Sequence, residues 1–198
     1  MHMALVLASA STIRADMLRR AGMTVDIQPA RIDEAAIRDA MLAEGAAPRD
    51  VADALAEGKA RKISARVPGL VLGCDQVLSL KGQLHEKPAT PEQARSQLAE
   101  LRGQTHQLLS AAVLYEDGKP VWRHVGVARL TMRSFSDSYL DAYIARNWPG
   151  LSESVGAYKL EEEGVRLFAQ VTGDYFTILG LPMLELLNHL ALRGEIDG

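Results

Sequence analysis

The run Leu70-Val71-Leu72-Gly73-Cys74, continued by Val77 to Leu80, constrains the fold more than any other part of the chain. It is apolar at nearly every position over the length of a strand, which marks a buried β-strand. Helical patterns surround it, so the chain reads as continuous α/β. At 198 residues the length suits one large domain or two small interlocking lobes, and a single domain over residues 1–198 is expected. With 47% hydrophobic and 24% charged residues, disordered and fibrous classes are excluded.

The flanking elements follow from periodicity and punctuation. Ala4 to Ala8 reads as a strand, followed by a hydroxyl-rich loop and a helix containing Met17, Leu18 and Ala21 that stops at Gly22. Val25 to Gln28 is a short strand. The acidic pair Asp33-Glu34 opens a helix ending near Gly45, and Pro48 starts a long helix through Val51, Leu55, Ala60 and Ile63. Lys81-Gly82 is a turn. Thr90-Pro91-Glu92-Gln93 is a capping box for a helix carrying Ala94, Leu98 and Leu101. Gln107 to Tyr115 and Val121 to Met132 form a long hairpin around Asp117-Gly118, and Ser136 caps a helix with Tyr139, Leu140, Tyr143 and Ile144 on its inner face. Val165 to Val171 and Tyr175 to Leu179 read as strands before a closing helix, Met183 to Leu192.

Several function classes drop out. The longest nearly apolar stretch, Leu108 to Tyr115, falls far short of the ~18 residues of a membrane span, and a cytoplasmic protein without membrane association is expected. The net charge of -3 argues against nucleic acid as a partner. Cys74 is the lone cysteine, so no disulfide framework exists, and with no histidine placed to activate it a buried strand thiol is inert. His85, His106, His124 and His189 show no metal-ligand spacing and read as surface or packing residues. The opening Met1-His2-Met3 resembles a start-site scar, and His2 is given no chemistry. Neither a G-x-G-x-x-G, a Walker motif, an H-E-x-x-H nor a paired C-x-x-C occurs.

The chemistry-bearing candidates are few. Ser9-Ala10-Ser11-Thr12-Ile13-Arg14 joins a strand to a helix, where free N–H groups, hydroxyls and an arginine suit phosphate; helix capping explains the same hydroxyls. Gly73-Cys74-Asp75-Gln76 delivers a carboxylate from an apolar strand after a flexible glycine, able to hold a metal, activate water or close a turn. Asp33 and Glu34 offer a second acidic ligand or complement a helix dipole. Lys59 and Lys62 lie on the long helix, where lysines are usually solvated. Lys87, beside Pro88, presents a fixed positive charge.

In their order these motifs resemble the Maf family of nucleotide pyrophosphatases along nearly the whole chain. The matching stretches are Leu5 to Ser9 with Ser11 and Arg14, Asp33-Glu34, Lys59-Ala60, Gly73 to Val77, Lys87-Pro88, Leu101 to His106, Gly156-Ala157-Tyr158, Gly173-Asp174-Tyr175 and Gly180-Leu181-Pro182. The resemblance implies a mixed, twisted sheet flanked by helices, with two lobes around a central nucleotide-binding cleft, often as a homodimer. It implies cleavage of nucleoside triphosphates to monophosphate and pyrophosphate with a divalent cation (Mg2+, Mn2+ or Co2+). By the same resemblance Asp75 is the catalytic carboxylate and a metal ligand, Glu34 a metal-binding acid, and Ser9, Ser11, Arg14, Lys59 and Lys87 phosphate-binding residues. Three positions bear on substrate choice. Gln76 and Glu161 look like the branch acting on 7-methyl-GTP, whereas Ile13 stands where one branch has arginine and the other tryptophan, and cannot stack on a base as an aromatic ring would.

Two other classes use the same residues. A phosphatase would release orthophosphate, and a non-enzymatic regulator of cell division or septum formation would bind nucleotide or nucleic acid without turnover; no aromatic-basic platform for the latter is visible.

Overall fold

The computed structural model describes residues 4–197, so His2 lies outside the described residues. In chain order the elements are β1 (Leu5–Leu7), α1 (Thr12–Arg20), β2 (Val25–Ile27), α2 (Glu34–Ala43), α3 (Pro48–Ser64), β3 (Leu70–Leu80), β4 (Gln83–His85), α4 (Pro91–Leu101), β5 (Thr105–Glu116), β6 (Lys119–Met132), α5 (Asp137–Asn147), β7 (Phe168–Thr172), α6 (Tyr175–Ile178) and α7 (Met183–Leu192). The strands form one seven-stranded sheet in the order β2-β1-β3-β5-β6-β7, with β4 paired to β3. It is mixed, β1 running parallel to both β2 and β3, while β4 and β7 run antiparallel to β3 and β6. The expected mixed α/β sheet flanked by helices is therefore present.

The chain divides into two compact units. One comprises the chain up to Gln76, Leu109–Gly126 and the chain from Tyr175 onward; the other comprises Val77–Leu108 and Val127–Asp174. The first unit has a core in which Leu5, Leu7, Leu70, Leu72 and Cys74 from the strands meet Ala15 and Leu18 of α1 and Leu186 and Leu190 of α7. As expected, Cys74 is fully buried, and burial pushes its thiol up to about 11, which keeps it protonated and inert at neutral pH. The second unit buries Leu98 and Leu101 of α4 with Leu140, Tyr143 and Ile144 of α5, helices that pack on one another. His106 is buried there too, its Nε2 lying 2.7 Å from the Tyr158 hydroxyl.

Local signals set many boundaries. Thr90 accepts from the Gln93 N–H, and the Gln93 side chain reaches back to the Ala89 N–H at 2.8 Å, a reciprocal cap. Ser136 caps α5 through the Tyr139 N–H. Both short hairpin turns, Lys81-Gly82 and Asp117-Gly118, have positive φ at each residue, the twist that two-residue hairpins require.

Two expected strands are corrected. Tyr175 to Leu179 opens as the short helix α6, and Glu163–Leu167 is a 3-10 turn, so the strand begins only at Phe168. Among the described residues no helix is long and apolar enough to cross a membrane.

Candidate active site

The first unit assembles most of the candidate residues. α3 turns a stripe of small and apolar side chains, Ala52, Leu55, Ala56, Ala60 and Ile63, toward the sheet, and Lys59 lies within this stripe. Its side chain is therefore buried, at 7% exposure, and the expectation of a solvated helix lysine does not hold for it. Lys62 lies off the stripe and donates to the Arg31 carbonyl.

Gly73 brings α3 this close. A Cβ on Gly73 would stand 2.6 Å from the Ala60 nitrogen and 2.8 Å from its Cβ, closer than any real contact, so the strand has room only for hydrogen here. The glycine serves close packing, not the flexibility expected before Asp75. Asp75 follows two residues later inside β3, at 7% exposure, and the alternative of a turn aspartate is ruled out.

The Lys59 Nζ lies 2.6 Å from Asp75 Oδ1 and 2.9 Å from Glu34 Oε1, so one ammonium is gripped by two carboxylates. The acidic pair at the start of α2 is thereby divided. Asp33 caps the helix by accepting from the Ala36 N–H at 3.0 Å, while Glu34 reaches Lys59. Burial raises the Asp75 carboxyl above its ordinary range, with Lys59 and Arg14 pulling the other way.

Arg14 is fixed from three sides. Its Nε donates to the Gly180 carbonyl at 2.7 Å, and its Nη1 to Ser9 Oγ at 3.3 Å and to the Cys74 carbonyl at 3.4 Å. All three acceptors are neutral, so none of them cancels the guanidinium charge. Ser9 Oγ also accepts from the Ser11 N–H at 3.2 Å. Ser11 occupies the N-cap position of α1 without a side-chain capping bond, so capping does not account for its hydroxyl. Ile13 is half-buried in the first turn of α1.

Gln76 completes the set, its amide nitrogen donating to Ser110 Oγ and to the Thr177 and Ile178 carbonyls. Lys87 and Glu161 belong to the second unit, both exposed. Lys87 precedes the buried Pro88, and Glu161 lies in the turn after Tyr158. Its neighbours are engaged elsewhere, Glu162 by Lys159 at 3.7 Å and Glu163 by Arg146 at 2.6 Å.

Sequence reasoning missed Ser110, the Gly180 carbonyl and the Thr177-Ile178 carbonyl pair. Ser110 had a signal, being one hydroxyl within the apolar run Leu108 to Leu114, and it is fully buried. Backbone acceptors carry no signal of their own.

The donor set bears on a metal. Among the described residues no group of three or more His, Cys, Asp or Glu side chains converges. The two that share one positive centre, Asp75 and Glu34, are oxygen donors, and hard cations such as Mg2+ are commonly held by one or two carboxylates together with substrate phosphates. The residues fit such a cation.

Comparison with known proteins identifies the family. A protein described as a nucleoside triphosphate pyrophosphatase from Ruegeria pomeroyi is 59% identical over 198 residues, covering all of both chains. One of the same description from Roseobacter denitrificans is 61% identical over 193 residues, 97% of each chain. A 7-methyl-GTP pyrophosphatase from Mesorhizobium japonicum is 50% identical over 195 residues, 98% of each. The family model described as Maf-like protein matches residues 4–192, and the chain belongs to the Maf family.

Proposed function

We propose that this protein is a nucleoside triphosphate pyrophosphatase that hydrolyses its substrate to monophosphate and pyrophosphate, with 7-methyl-GTP as the preferred nucleotide. The observation that carries the reading is the Lys59 ammonium held between Asp75 and Glu34, with Arg14 bonded to the carbonyl just before Asp75. The names of relatives up to 61% identical point to the same reaction.

Attack of water at the α-phosphorus needs a proton acceptor and positive charge where the phosphates gain negative charge. Asp75 accepts the proton, and burial makes it a stronger base than an ordinary carboxylate. Lys59 holds the Asp75 carboxylate in place while it does so, because Nζ donates to Oδ1 at 2.6 Å. Arg14, Ser9 and Ser11 bind phosphate oxygens, and Lys87 adds a further positive contact. Asp75 and Glu34 would hold a divalent cation, Mg2+, Mn2+ or Co2+, which when bound neutralises charge on the phosphate oxygens.

For substrate choice, Glu161 reads the base. Guanine presents N1–H and its exocyclic amine as adjacent donors, and a carboxylate accepts both, whereas a thymine or uracil edge offers no such pair. Methylation at N7 places positive charge on the ring and strengthens that contact. Ile13 supplies apolar contact without aromatic stacking.

A panel of 7-methyl-GTP, GTP, UTP and dTTP, assayed for pyrophosphate with and without a chelator, tests this. Pyrophosphate equal to monophosphate, fastest from 7-methyl-GTP and abolished by the chelator, is expected. Diphosphate with orthophosphate, or turnover indifferent to the chelator, contradicts it.

A further inference from the structure

Lys59 is the charged residue among the buried positions of α3, and its Nζ lies 2.6 Å from Asp75 Oδ1 and 2.9 Å from Glu34 Oε1. Two of the three ammonium hydrogens are taken by these carboxylates, which leaves the third for a phosphate oxygen. Packing sets Glu34 in this place. α2 rests on α3, and a Cβ on Gly58 would stand 3.4 Å from Ile32 Cδ1 and 3.6 Å from Ile37 Cδ1, ordinary contact distances. Further along α3, Lys62 donates to the Arg31 carbonyl. The stretch from Arg31 to Ile37 is thus tied to α3 on either side of Lys59, and Glu34, within that stretch, meets the ammonium.

Lys59 and Asp75 are both buried, so water and salt screen their charges weakly, while Glu34 is half exposed and closes the open side. The Arg14 guanidinium also acts on Asp75 and bonds to the Cys74 carbonyl before it. Two carboxylates therefore face two fixed cations, and the cluster is balanced as it stands. A divalent cation entering alone places its charge beside an ammonium already seated on both carboxylates, and at such distances like charges in a poorly screened site repel by several times the thermal energy. A triphosphate reverses the balance, because its oxygens accept from Lys59 and Arg14 while sharing the cation.

We propose that Lys59 holds down the affinity of Asp75 and Glu34 for a free divalent cation, so that the cation is taken up together with the triphosphate and not before it. The proposal rests on the reading of Asp75 and Glu34 as the cation's ligands. The rival role for Lys59 is to gather two carboxylates that would otherwise repel each other, in which case removing its charge weakens cation binding. The two roles predict opposite signs.

The test is titration of the full chain with Mn2+ alone, unbound Mn2+ being followed by electron paramagnetic resonance, for wild type, Lys59→Met, Lys59→Gln and Lys59→Arg. Lys59→Gln keeps an N–H donor without the charge, and keeps the test open if Lys59→Met fails to fold. Both neutral variants are expected to bind Mn2+ at least about tenfold more tightly than wild type, whereas Lys59→Arg, which keeps the charge, is expected to bind as weakly as wild type. With a saturating α,β-methylene analogue of GTP, which cannot be cleaved at the bond attacked, the gap between wild type and Lys59→Gln is expected to shrink to about twofold or less, since phosphate then offsets the ammonium. Equal or weaker Mn2+ binding by the neutral variants, or a gap undiminished by the nucleotide, overturns the proposal. Adding Asp75→Asn to Lys59→Gln is expected to abolish the gain in affinity. A gain that survives this change would place the cation elsewhere and overturn the reading on which the proposal rests.

Discussion

Gly73 faces Ala60 so closely that a Cβ added to the glycine would stand 2.6 Å from the Ala60 backbone nitrogen. This approach seats α3 on β3 and brings Lys59 to 2.6 Å from Asp75. Packing and chemistry are one contact here, and a single methyl group tests both. Gly73→Ala is expected to destabilise the fold by ~1–3 kcal/mol, since backbone and not a flexible side chain must move, and to cut kcat by about tenfold or more. Denaturant titration with steady-state kinetics checks it. A variant with wild-type stability and rate would mean that α3 gives way freely and that the close approach does not set the site.

Asp75→Asn keeps the shape of the side chain but neither accepts a proton nor balances the Lys59 charge. Turnover is expected to fall by about 10²–10³ with the circular dichroism spectrum unchanged. Retention of more than about a tenth of wild-type kcat, a loss below ~1.4 kcal/mol, would remove Asp75 from the centre of the mechanism.

His106 is 1% exposed, and burial, with a smaller push from His85, holds its imidazole down to about 4 from the usual 6.5. The unfolded chain takes up this proton near pH 6.5 and the folded chain only near pH 4, so the unfolded state binds more protons across that window. The contribution is fully present above pH 6.5 and is lost as pH falls toward 4, amounting to about 3 kcal/mol. Stability measured from pH 7 to pH 4 is expected to drop less steeply in His106→Asn than in wild type. Identical slopes would show that the imidazole titrates as if solvated.

Glu161→Gln removes the charge with little change in shape. It is expected to cost ~1–3 kcal/mol of discrimination between 7-methyl-GTP and UTP, read as the ratio of kcat/KM values. An unchanged ratio would place Glu161 outside base recognition and turn attention to Ile13.

Much of this was legible in sequence because short-range chemistry decided it. Thr90, Ser136 and the turns Lys81-Gly82 and Asp117-Gly118 each state their structure within four residues. Tyr175 to Leu179 was misread because a short aromatic and β-branched run suits a strand by propensity. Its backbone closes on itself instead, with the Leu179 N–H donating to the Tyr175 carbonyl, and buried donors from Gln76 and Ser110 satisfy the helix end. Lys59 was legible in principle, because its spacing from Leu55, Ala56 and Ile63 places it on the buried stripe of α3. The Gly180 carbonyl that fixes Arg14 was not, since every residue carries that group and only the fold selects one.

The central claim is that water attacks the α-phosphorus with Asp75 accepting its proton, and hydrolysis in 18O-labelled water tests it most directly. Mass spectrometry of both products is expected to find one labelled oxygen in the nucleoside monophosphate and none in the pyrophosphate. Label in the pyrophosphate, or in released orthophosphate, would contradict the account by placing the attack on a different phosphorus.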